Sequence, residues 1–200
     1  MAIDNKALFN LGYGLYILTT NDGKKDNGMI CNTVMQVSID KIAVGINKQN
    51  YTHDTVKSTK KLNVLCLDKS VTFSVFKTFG FQSGIDKDKM RYETFYRSQN
   101  GLAVIDKHVN AFLSLEVEDY IDLGSHGLFI CSVVESKVLS NKPSVTYADY
   151  HATIKPKPQP VAKKGYRCKI CGYVYEGESL PEDFTCPLCK HPASDFEEIL

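Results

Sequence analysis

The last 36 residues of the chain contain the feature that most constrains its fold, two Cys-x-x-Cys pairs separated by 14 residues. The first pair is Cys168 and Cys171, and the second is Cys186 and Cys189. A segment of fewer than about 40 residues rarely buries enough apolar surface to fold alone and usually needs disulfides or a metal. Two such pairs supply four thiolates for one tetrahedral site, of the kind that zinc or a single iron occupies. The sequence therefore predicts a small module that a metal holds together.

The residues around the two pairs support this interpretation. Gly172 allows the backbone to turn so that its N–H groups point at sulfur, and aromatic residues can form a small core around the metal, namely Tyr166, Tyr173, Phe184 and Phe196. The ligands alone leave a structural zinc ribbon open beside an iron site. Many zinc ribbons bind nucleic acid, but this module carries seven acidic and three basic residues, a net charge of −4 that is poorly suited to phosphate.

A segment rich in proline and lysine, residues 154–164, precedes the module. Its alternating prolines, its four lysines and its lack of apolar periodicity are typical of a stiff, solvated linker of polyproline type. The sequence thus predicts a body at residues 1–153, a linker at 154–164 and a metal module at 165–200. The net charge of +1 for the whole chain is then a cancellation between a basic linker and an acidic module.

Composition excludes several classes of protein. With 43% apolar and 24% charged residues, the chain is typical of an ordinary globular protein rather than a disordered or membrane-spanning one. The near-zero net charge disfavours nucleic acid as the main partner. The segment Met1–Lys6 has an early acid and no basic region followed by an apolar block, so we expect a cytoplasmic protein without a membrane partner. In that reducing compartment the seven cysteines are not expected to form structural disulfides.

The body upstream of the linker consists mainly of short apolar and β-branched runs between turn residues, which favours a mostly β barrel or sandwich. The strand-like runs are Leu15–Thr20, Met29–Ile39, Lys41–Ile46, Leu62–Leu67, Ala111–Val117 and Leu128–Val134. Two segments are predicted as helices, Thr52–Lys60 capped by Thr52 and Ser70–Phe79 capped by Ser70. Asn27-Gly28, Asn100-Gly101 and Gly124-Ser125 are predicted as turns.

The loop between the third strand-like run and the first predicted helix is a candidate anion site. The free N–H groups and positive dipole end of a helix N-terminus attract phosphate, and Lys48, Asn50, Thr52 and the backbone of His53 lie at this position. Thr52 is equally well explained as a simple helix cap. The chain contains neither a Gly-x-Gly-x-x-Gly after a strand nor a Walker motif, so a Rossmann dinucleotide fold and a nucleotide hydrolase are not supported.

The module resembles rubredoxin, a one-iron electron carrier. The matching residues are Tyr166-x-Cys168-x-x-Cys171-Gly172-Tyr173 and Phe184-x-Cys186-Pro187-x-Cys189, followed by Asp195-Phe196. The stretch between the two pairs is shorter than in free-standing rubredoxins and is similar to the reduced version in rubrerythrin-type tails. The resemblance implies one iron bound by four thiolates.

The body resembles the flavin reductase-like, flavoredoxin-type family. The segments that carry the resemblance are Asn27–Ser38, Asn47–His53, Phe79–Gly84, Asp122–Phe129 and Thr146–His151. This resemblance implies an FMN-binding split β-barrel, homodimeric, with the flavin near the subunit interface. Body and module together resemble the high-molecular-weight rubredoxins, in which such a domain is fused to a short rubredoxin.

The resemblance also implies which residues contact the flavin. The stretch from Asn32 to Met35 would lie along the isoalloxazine ring, and His126 would approach the flavin or the nicotinamide as the catalytic residue. Asn47, Lys48 and Thr52 would hold the ribityl chain and phosphate. The complete set of implied flavin-site residues is Asn27, Asn32, Thr33, Val34, Met35, Asn47, Lys48, Asn50, Thr52, His53, Ser83, Lys89 and His126.

These features predict an NAD(P)H-dependent flavoprotein oxidoreductase. A hydride carries two electrons whereas a thiolate-bound iron passes one, and FMN connects the two. The resemblance implies that a flavodiiron protein, which reduces oxygen or nitric oxide, receives the electrons. Two alternatives stay open: a pure FMN and iron electron carrier that another protein reduces, and a flavin-free binding module with a structural zinc.

Overall fold

The computed structural model describes residues 5–156 and 165–199. Chain contacts divide the protein into two compact units, residues 1–155 and residues 156–200. The two units are described separately below. Most of the predicted linker, residues 157–164, lies outside the described residues, so its proposed conformation and the predicted domain boundaries stay predictions.

The first unit is built on one antiparallel sheet of seven strands, in the order β2-β1-β5-β8-β9-β4-β3. Its strands are β1 (Tyr16–Asn21), β2 (Asp26–Cys31), β3 (Val34–Gln36), β4 (Lys41–Asn47), β5 (Lys61–Leu67), β8 (Val109–Asp122) and β9 (His126–Val138). A separate two-stranded sheet pairs β6 (Tyr96–Arg97) with β7 (Ala103–Val104). The large sheet curls into a half-barrel, which confirms the predicted mainly β, split-barrel fold.

Few helices accompany the sheet. They are α1 (Tyr51–Thr59), α2 (Phe73–Gly80), the single turn α3 (Tyr147–Asp149), a 3₁₀ segment at Asn5–Asn10 and a π-helical turn at Tyr150–Ile154. Among the described residues, no helix is long and apolar enough to cross a membrane.

Both faces of the large sheet are covered by apolar side chains, because neighbouring residues of a strand point to opposite faces. On β1, Ile17 packs into a cluster that includes Phe76 and Phe79 of α2. Its neighbour Leu18 packs into a second cluster that includes Val56 of α1. The two helices are therefore anchored to the sheet by apolar packing.

Four local predictions were wrong, and the first two of them failed for a tertiary reason. The predicted strand Met29–Ile39 is interrupted at residues 32 and 33, because β2 pairs with β1 whereas β3 pairs with β4. Asn27-Gly28 is not a turn but part of β2, opposite Thr20 and Thr19. The glycine is needed for close packing, since a Cβ at position 28 would lie 2.9 Å from the Phe79 ring.

Both predicted helix starts were also wrong. Helix α1 begins at Tyr51 with Asn50 as its N-cap, because a turn in which the Asn50 N–H donates to Asn47 O (3.0 Å) precedes it. Helix α2 begins at Phe73 with Thr72 as its N-cap. The Ser70 side chain instead donates a hydrogen bond to Asp68.

The second unit is a three-stranded sheet with the order β11-β10-β12. The strands are β10 (Gly165–Cys168), β11 (Val174–Tyr175) and β12 (Phe196–Ile199), with a 3₁₀ turn at Ala193–Asp195. Its core contains Cys168, Cys186 and Phe196, against which the predicted aromatic residues pack, namely Tyr166, Tyr173 and Phe184.

Candidate functional site

The second unit brings the four predicted metal ligands together. The Sγ atoms of Cys168, Cys171, Cys186 and Cys189 all lie within 4.8 Å of one another. Cys168 Sγ is 3.6 Å from Cys189 Sγ, and Cys171 Sγ is 3.5 Å from Cys186 Sγ. Cys168 and Cys186 are buried, whereas Cys171 and Cys189 are partly exposed. A metal at this position would therefore have two ligands that face the surface of the module.

The two Cys-x-x-Cys pairs adopt the same turn. In the first, the Gly172 N–H donates to Cys168 O and the Cys168 N–H donates to Tyr173 O, both at 2.8 Å. In the second, the Lys190 N–H donates to Cys186 O at 2.9 Å and the Cys186 N–H donates to His191 O at 2.8 Å. Both Gly172 and Lys190 have left-handed backbone angles, with φ of +79° and +62°. Glycine adopts this conformation readily and lysine does not, so the second turn is the more strained of the two.

Backbone N–H groups point at the sulfurs, as expected for thiolate ligands. Contact with Cys189 Sγ, together with the Tyr173 N–H, lowers the pKa of Cys171 to about 5 although burial opposes this. The Leu188 and Cys189 N–H groups donate to Cys186 Sγ. Such donors stabilise the negative charge of a four-thiolate site. The donor set fits one tetrahedral iron or zinc ion.

In the first unit, strand β4 brings distant parts of the predicted flavin site together. On one side, the Gly45 N–H donates to Thr33 O at 2.9 Å and Val34 pairs with Val44. On the other side, Asn47 pairs with His126 at the start of β9. The stretch from Asn32 to Met35 and the predicted catalytic histidine therefore flank one strand, although they are about ninety positions apart in the chain.

Met35 on the edge strand β3 is exposed, as is Thr33 just before the strand. Asn32 and Val34 are half-buried. Thr33 Oγ1 donates to Asn32 Oδ1 at 3.2 Å. The Thr33 methyl group packs over Gly45, where an added Cβ would lie 2.8 Å from it. This stretch therefore carries the polar side chains of Asn32 and Thr33 at one end and the exposed Met35 at the other.

The N-terminus of α1 follows β4 directly and carries no side-chain cap, since Asn50 makes no capping hydrogen bond. The His53 N–H donates to Asn50 O at 2.9 Å, which leaves the N–H groups of Tyr51 and Thr52 at the helix end without an intrahelical acceptor. An uncapped end of this kind fits a phosphate. The backbone of His53, which was predicted to contribute, is already occupied by the turn.

Asn27 lies below this helix end and is almost completely buried. Its Nδ2 donates to Thr52 Oγ1 at 2.8 Å, whereas its Oδ1 has no hydrogen-bond partner in the described part of the chain. A Cβ added at Gly84 would lie 2.2 Å from Asn27 Oδ1, so the glycine is required for this approach. A buried carbonyl without a donor fits a site that a bound polar group completes.

Lys89 and Ser83 belong to the segment that covers Asn27. Lys89 is buried, and its Nζ donates to Gly28 O at 2.8 Å and to Phe79 O at 3.5 Å. Burial lowers the pKa of Lys89 to about 8. Ser83 Oγ accepts from the Ile85 N–H at 3.1 Å. Lys89 thus holds the covering segment on β2 and α2, whereas Ser83 stabilises a turn within that segment.

Lys48 and His126 lie at the β8–β9 turn, where Lys48 is half-buried and His126 is exposed. Lys48 Nζ forms an ion pair with Asp122, which raises the pKa of Lys48, and the Lys48 N–H donates to Ser125 O at 3.0 Å. His126 is exposed, and its Nδ1 lies 2.9 Å from Ser125 Oγ. The β8–β9 turn therefore positions both side chains beside the start of α1.

Two side chains near the predicted flavin site, Tyr120 and Lys25, were not predicted from the sequence. Tyr120 OH lies 3.2 Å from Nε2 of the buried His53, whose Nδ1 lies 2.7 Å from Asp54 Oδ1. Lys25 Nζ donates to Gly84 O. No local motif marks Tyr120 or Lys25, because only strand pairing brings them to α1 and to the Gly84 turn.

Comparison with known proteins identifies the class of both units. Residues 8–155 match the family model of the flavin reductase like domain, and residues 166–197 match that of the rubrerythrin, rubredoxin-like domain. The chain therefore belongs to the flavin reductase-like family and carries a rubredoxin-like module.

Relatives share this two-part organisation or its larger part. The chain is similar over 98% of its length to the full High molecular weight rubredoxin of Moorella thermoacetica, at 35% identity. It is 31% identical to the Ferric-chelate reductase (NAD(P)H) of Archaeoglobus fulgidus, over 84% of this chain and 100% of that protein. The structure of NADH:FAD oxidoreductase SgcE6 from Streptomyces globisporus has a TM-score of 0.65 at 15% identity, over 73% of this chain and 92% of that one, and shows the shared fold.

These findings confirm the predicted resemblance to high-molecular-weight rubredoxins. They also confirm the predicted class of enzyme at the level of a flavoprotein oxidoreductase of the flavin reductase-like family. The chain is a flavin reductase-like oxidoreductase domain fused to a rubredoxin-like module. The particular flavin, the donor that this chain uses, its partner and the roles of individual residues belong to the proposal below.

Proposed function

We propose that the protein transfers electrons from NAD(P)H through FMN to a four-thiolate iron, and from the iron to a second protein. The observation that carries this proposal is the arrangement around β4, which places the Asn32–Met35 stretch, the uncapped end of α1 and His126 on one domain. The same chain holds a four-thiolate site. A site that binds a flavin, which takes up two electrons, and a metal site that passes one electron are complementary parts of an electron-transfer enzyme.

FMN, when bound, accepts two electrons as a hydride and releases them one at a time, which suits an iron that takes one. Asn32 and Thr33 would hydrogen-bond the polar edge of the ring, while Val34 and Met35 supply apolar contact. The Tyr51 and Thr52 N–H groups, Asn47, Lys48 and Asn50 would hold the phosphate and ribityl chain. Asn27 Oδ1 would accept a hydrogen bond from the cofactor, and His126 would orient the nicotinamide.

Two features of the module suit transfer to a partner protein. Cys171 and Cys189 are partly exposed, and Leu188 between the second pair is 40% exposed, so a partner can approach the metal closely. The net charge of −4 would steer the module towards a basic surface. We propose a flavodiiron protein, which reduces oxygen or nitric oxide, as this partner.

We further propose that the enzyme is a cytoplasmic homodimer that associates through the split-barrel domain. The edge strand β3 and the residues after it expose Met35, Val37 and Ile39, with 62%, 48% and 96% of their surfaces accessible in the single chain. Apolar exposure of this extent on a sheet edge is typical of an association surface. The cytoplasm suits the seven cysteines, all of which are free. Light scattering of the purified protein tests the dimer.

An anaerobic titration with NADH or NADPH, read at both flavin and iron absorbance bands, tests the proposed function. We expect both chromophores to bleach, the flavin first and the iron after it. Flavin and iron that stay oxidised in the presence of either nucleotide, but are reduced by another protein, would establish the carrier alternative. Stoichiometric zinc without flavin absorbance would refute the redox proposal.

The variant Cys168→Ser separates the two halves of the path. We expect it to lose reduction of any protein acceptor while its flavin is still reduced by the nucleotide. Loss of both activities in a protein that retains its flavin would contradict this division between the domains. Cys66→Ser, which changes a partly exposed cysteine outside the metal site, is the matched control.

A further inference from the structure

A second concave site lies in the flavin reductase-like domain and contains none of the predicted flavin-site residues. It is a cavity of about 550 Å³ between the turn after β5, the start of β8 and the segment after β9. Its charged lining residues are Asp68, Asp106, Lys107, His108, Lys137 and Lys142. A cavity of this volume has the size of a small-molecule site.

The floor of the cavity is a hydrogen-bonded group of side chains. Asp68 is almost completely buried and accepts hydrogen bonds from the Ser70 N–H at 2.7 Å and from Ser70 Oγ. Ser70 Oγ lies 3.0 Å from His108 Nδ1 and accepts from Lys142 Nζ at 3.4 Å. Lys142 Nζ is also 3.7 Å from Asp68 Oδ2. The buried carboxylate therefore holds Ser70, His108 and Lys142 in place.

The backbone at the floor is held in an uncommon conformation. His108 has φ of +64°, in the left-handed region that residues other than glycine seldom adopt. Its carbonyl accepts from the Asp68 N–H at 2.9 Å. The contact of His108 Nδ1 with Ser70 Oγ fixes the orientation of the ring at the floor.

The rim of the cavity carries positive charge that is not neutralised. Lys107 and Lys137 form no ion pair with any residue in the described ranges 5–156 and 165–199. Although burial opposes its ionisation, hydrogen bonds from Ser70 and the charge of Lys142 hold the pKa of Asp68 below its usual range. Because Lys142 pairs with Asp68 at the floor, the charged side chains left around the rim are Asp106, Lys107 and Lys137, a net charge of +1.

We propose that this cavity binds a small multivalent anion, a tricarboxylate or a phosphate compound, between Lys107, Lys137 and Lys142. Positive charges gathered around a concave surface attract anions more strongly than the same charges spread over a flat one. Ser70 and Asp68 orient the Lys142 ammonium at the floor. The lining of the cavity shares no residue with the predicted flavin site or with the four cysteines.

Calorimetric titration of the full-length protein, with flavin and iron bound, tests this proposal at low ionic strength. The probes are tricarballylate for the carboxylate class and inorganic phosphate for the phosphate class, and the flavin and iron spectra are recorded throughout. We expect saturable binding of at least one probe with one site per chain, and weaker binding as salt is added. The probe that binds more tightly identifies the class of ligand.

The double variant Lys107→Gln and Lys137→Gln should weaken binding about tenfold or more. The matched control, Lys24→Gln and Lys77→Gln, removes two exposed lysines outside the cavity and should leave the affinity unchanged. All four side chains are exposed, so folding should be preserved. Absence of binding at millimolar probe, equal weakening in the control, or release of flavin by the probe would overturn the proposal.

Discussion

At the scale of single residues, the most informative side chain is Lys89, a buried lysine whose ammonium bonds two backbone carbonyls rather than a carboxylate. Burial lowers its pKa to about 8, whereas an unfolded lysine titrates near 10.5. Between these pH values the unfolded chain binds more protons than the folded one, so the free energy of unfolding rises with pH. The buried charge is a cost to the fold below pH 8 that disappears at alkaline pH.

We therefore expect the difference in unfolding free energy between the wild type and Lys89→Met to change with pH. It should shift in favour of the wild type by up to about 3 kcal/mol from pH 8 to 10.5. Denaturant unfolding at several pH values measures this difference. Lys87→Met, at an exposed lysine nearby, should show no such trend. A flat profile for Lys89→Met would mean that Lys89 titrates normally.

Gly84 is the second residue whose substitution has a sharp structural consequence. A Cβ at this position would lie 2.2 Å from Asn27 Oδ1, and Asn27 is too deeply buried to move freely. Gly84→Ala should cost about 1–3 kcal/mol of stability and weaken flavin retention. Gly12→Ala, where nothing lies within 4 Å of the new Cβ, should change neither. Thermal unfolding and flavin stoichiometry measure both effects, and unchanged flavin binding in Gly84→Ala would remove Asn27 from the site.

At the scale of secondary structure, β4 and α1 form the unit that determines the candidate site. The strand pairs with β3 on one edge and β9 on the other, and the helix begins four residues after the strand ends. Because the Asn50 side chain does not cap α1, the first N–H groups of the helix stay available to an anion, although Asp54 lies in the first turn. A helix end that is left uncapped at a small cost in stability is suited to binding an anion.

The variant Asn50→Asp tests this role of the helix end. A carboxylate at the N-cap should stabilise α1 by about 0.3–1 kcal/mol and, by charge repulsion, weaken the binding of the flavin phosphate. The two effects have opposite signs, so unfolding of the flavin-free protein and flavin affinity should move in opposite directions. If flavin affinity follows stability, the phosphate does not lie at this helix end. Thr72→Asp at the N-cap of α2 is the control, with no expected change in flavin affinity.

At the scale of the whole molecule, the two units depend on different sources of stability. The first has two large apolar clusters on the faces of its sheet. The second has three buried residues in its core, and two of them are metal ligands. A module with so small a core derives most of its folding energy from the metal.

Removal of the metal should therefore unfold the module and leave the larger domain intact. We expect exhaustive chelation after reduction to abolish amide hydrogen-exchange protection in residues 165–199, while protection in β1, β5 and β8 is unchanged. Exchange measured by mass spectrometry resolves the two units. Simultaneous loss of protection in both would show that the larger domain needs the module to fold.

The sequence by itself determined the metal module and the class of the larger domain. The spacing of the cysteines and the glycine after the first pair are local features. Each Cys-x-x-Cys turn spans six residues, so its conformation depends mainly on those residues themselves. Apolar alternation likewise located most of the strands. The break between β2 and β3 could not be predicted in this way, because it depends on which strand becomes the neighbour of each. The start of α1 was also missed, because it depends on the turn that precedes the helix.

Only the tertiary structure decided which side chains meet. Asn47 faces His126 because the antiparallel pairing of β4 and β9 sets one register among many that the same strands allow. The folded chain also brings Asn27 to Thr52, and it brings His108 to Ser70, which bonds Asp68. A shift of one residue in that register would turn each strand's side chains to the opposite face. The ligands of the metal site thus come from short stretches of consecutive residues and could be predicted from the sequence. The candidate flavin site and the lysine-lined cavity are formed by residues from separate strands, which only the folded sheet brings together.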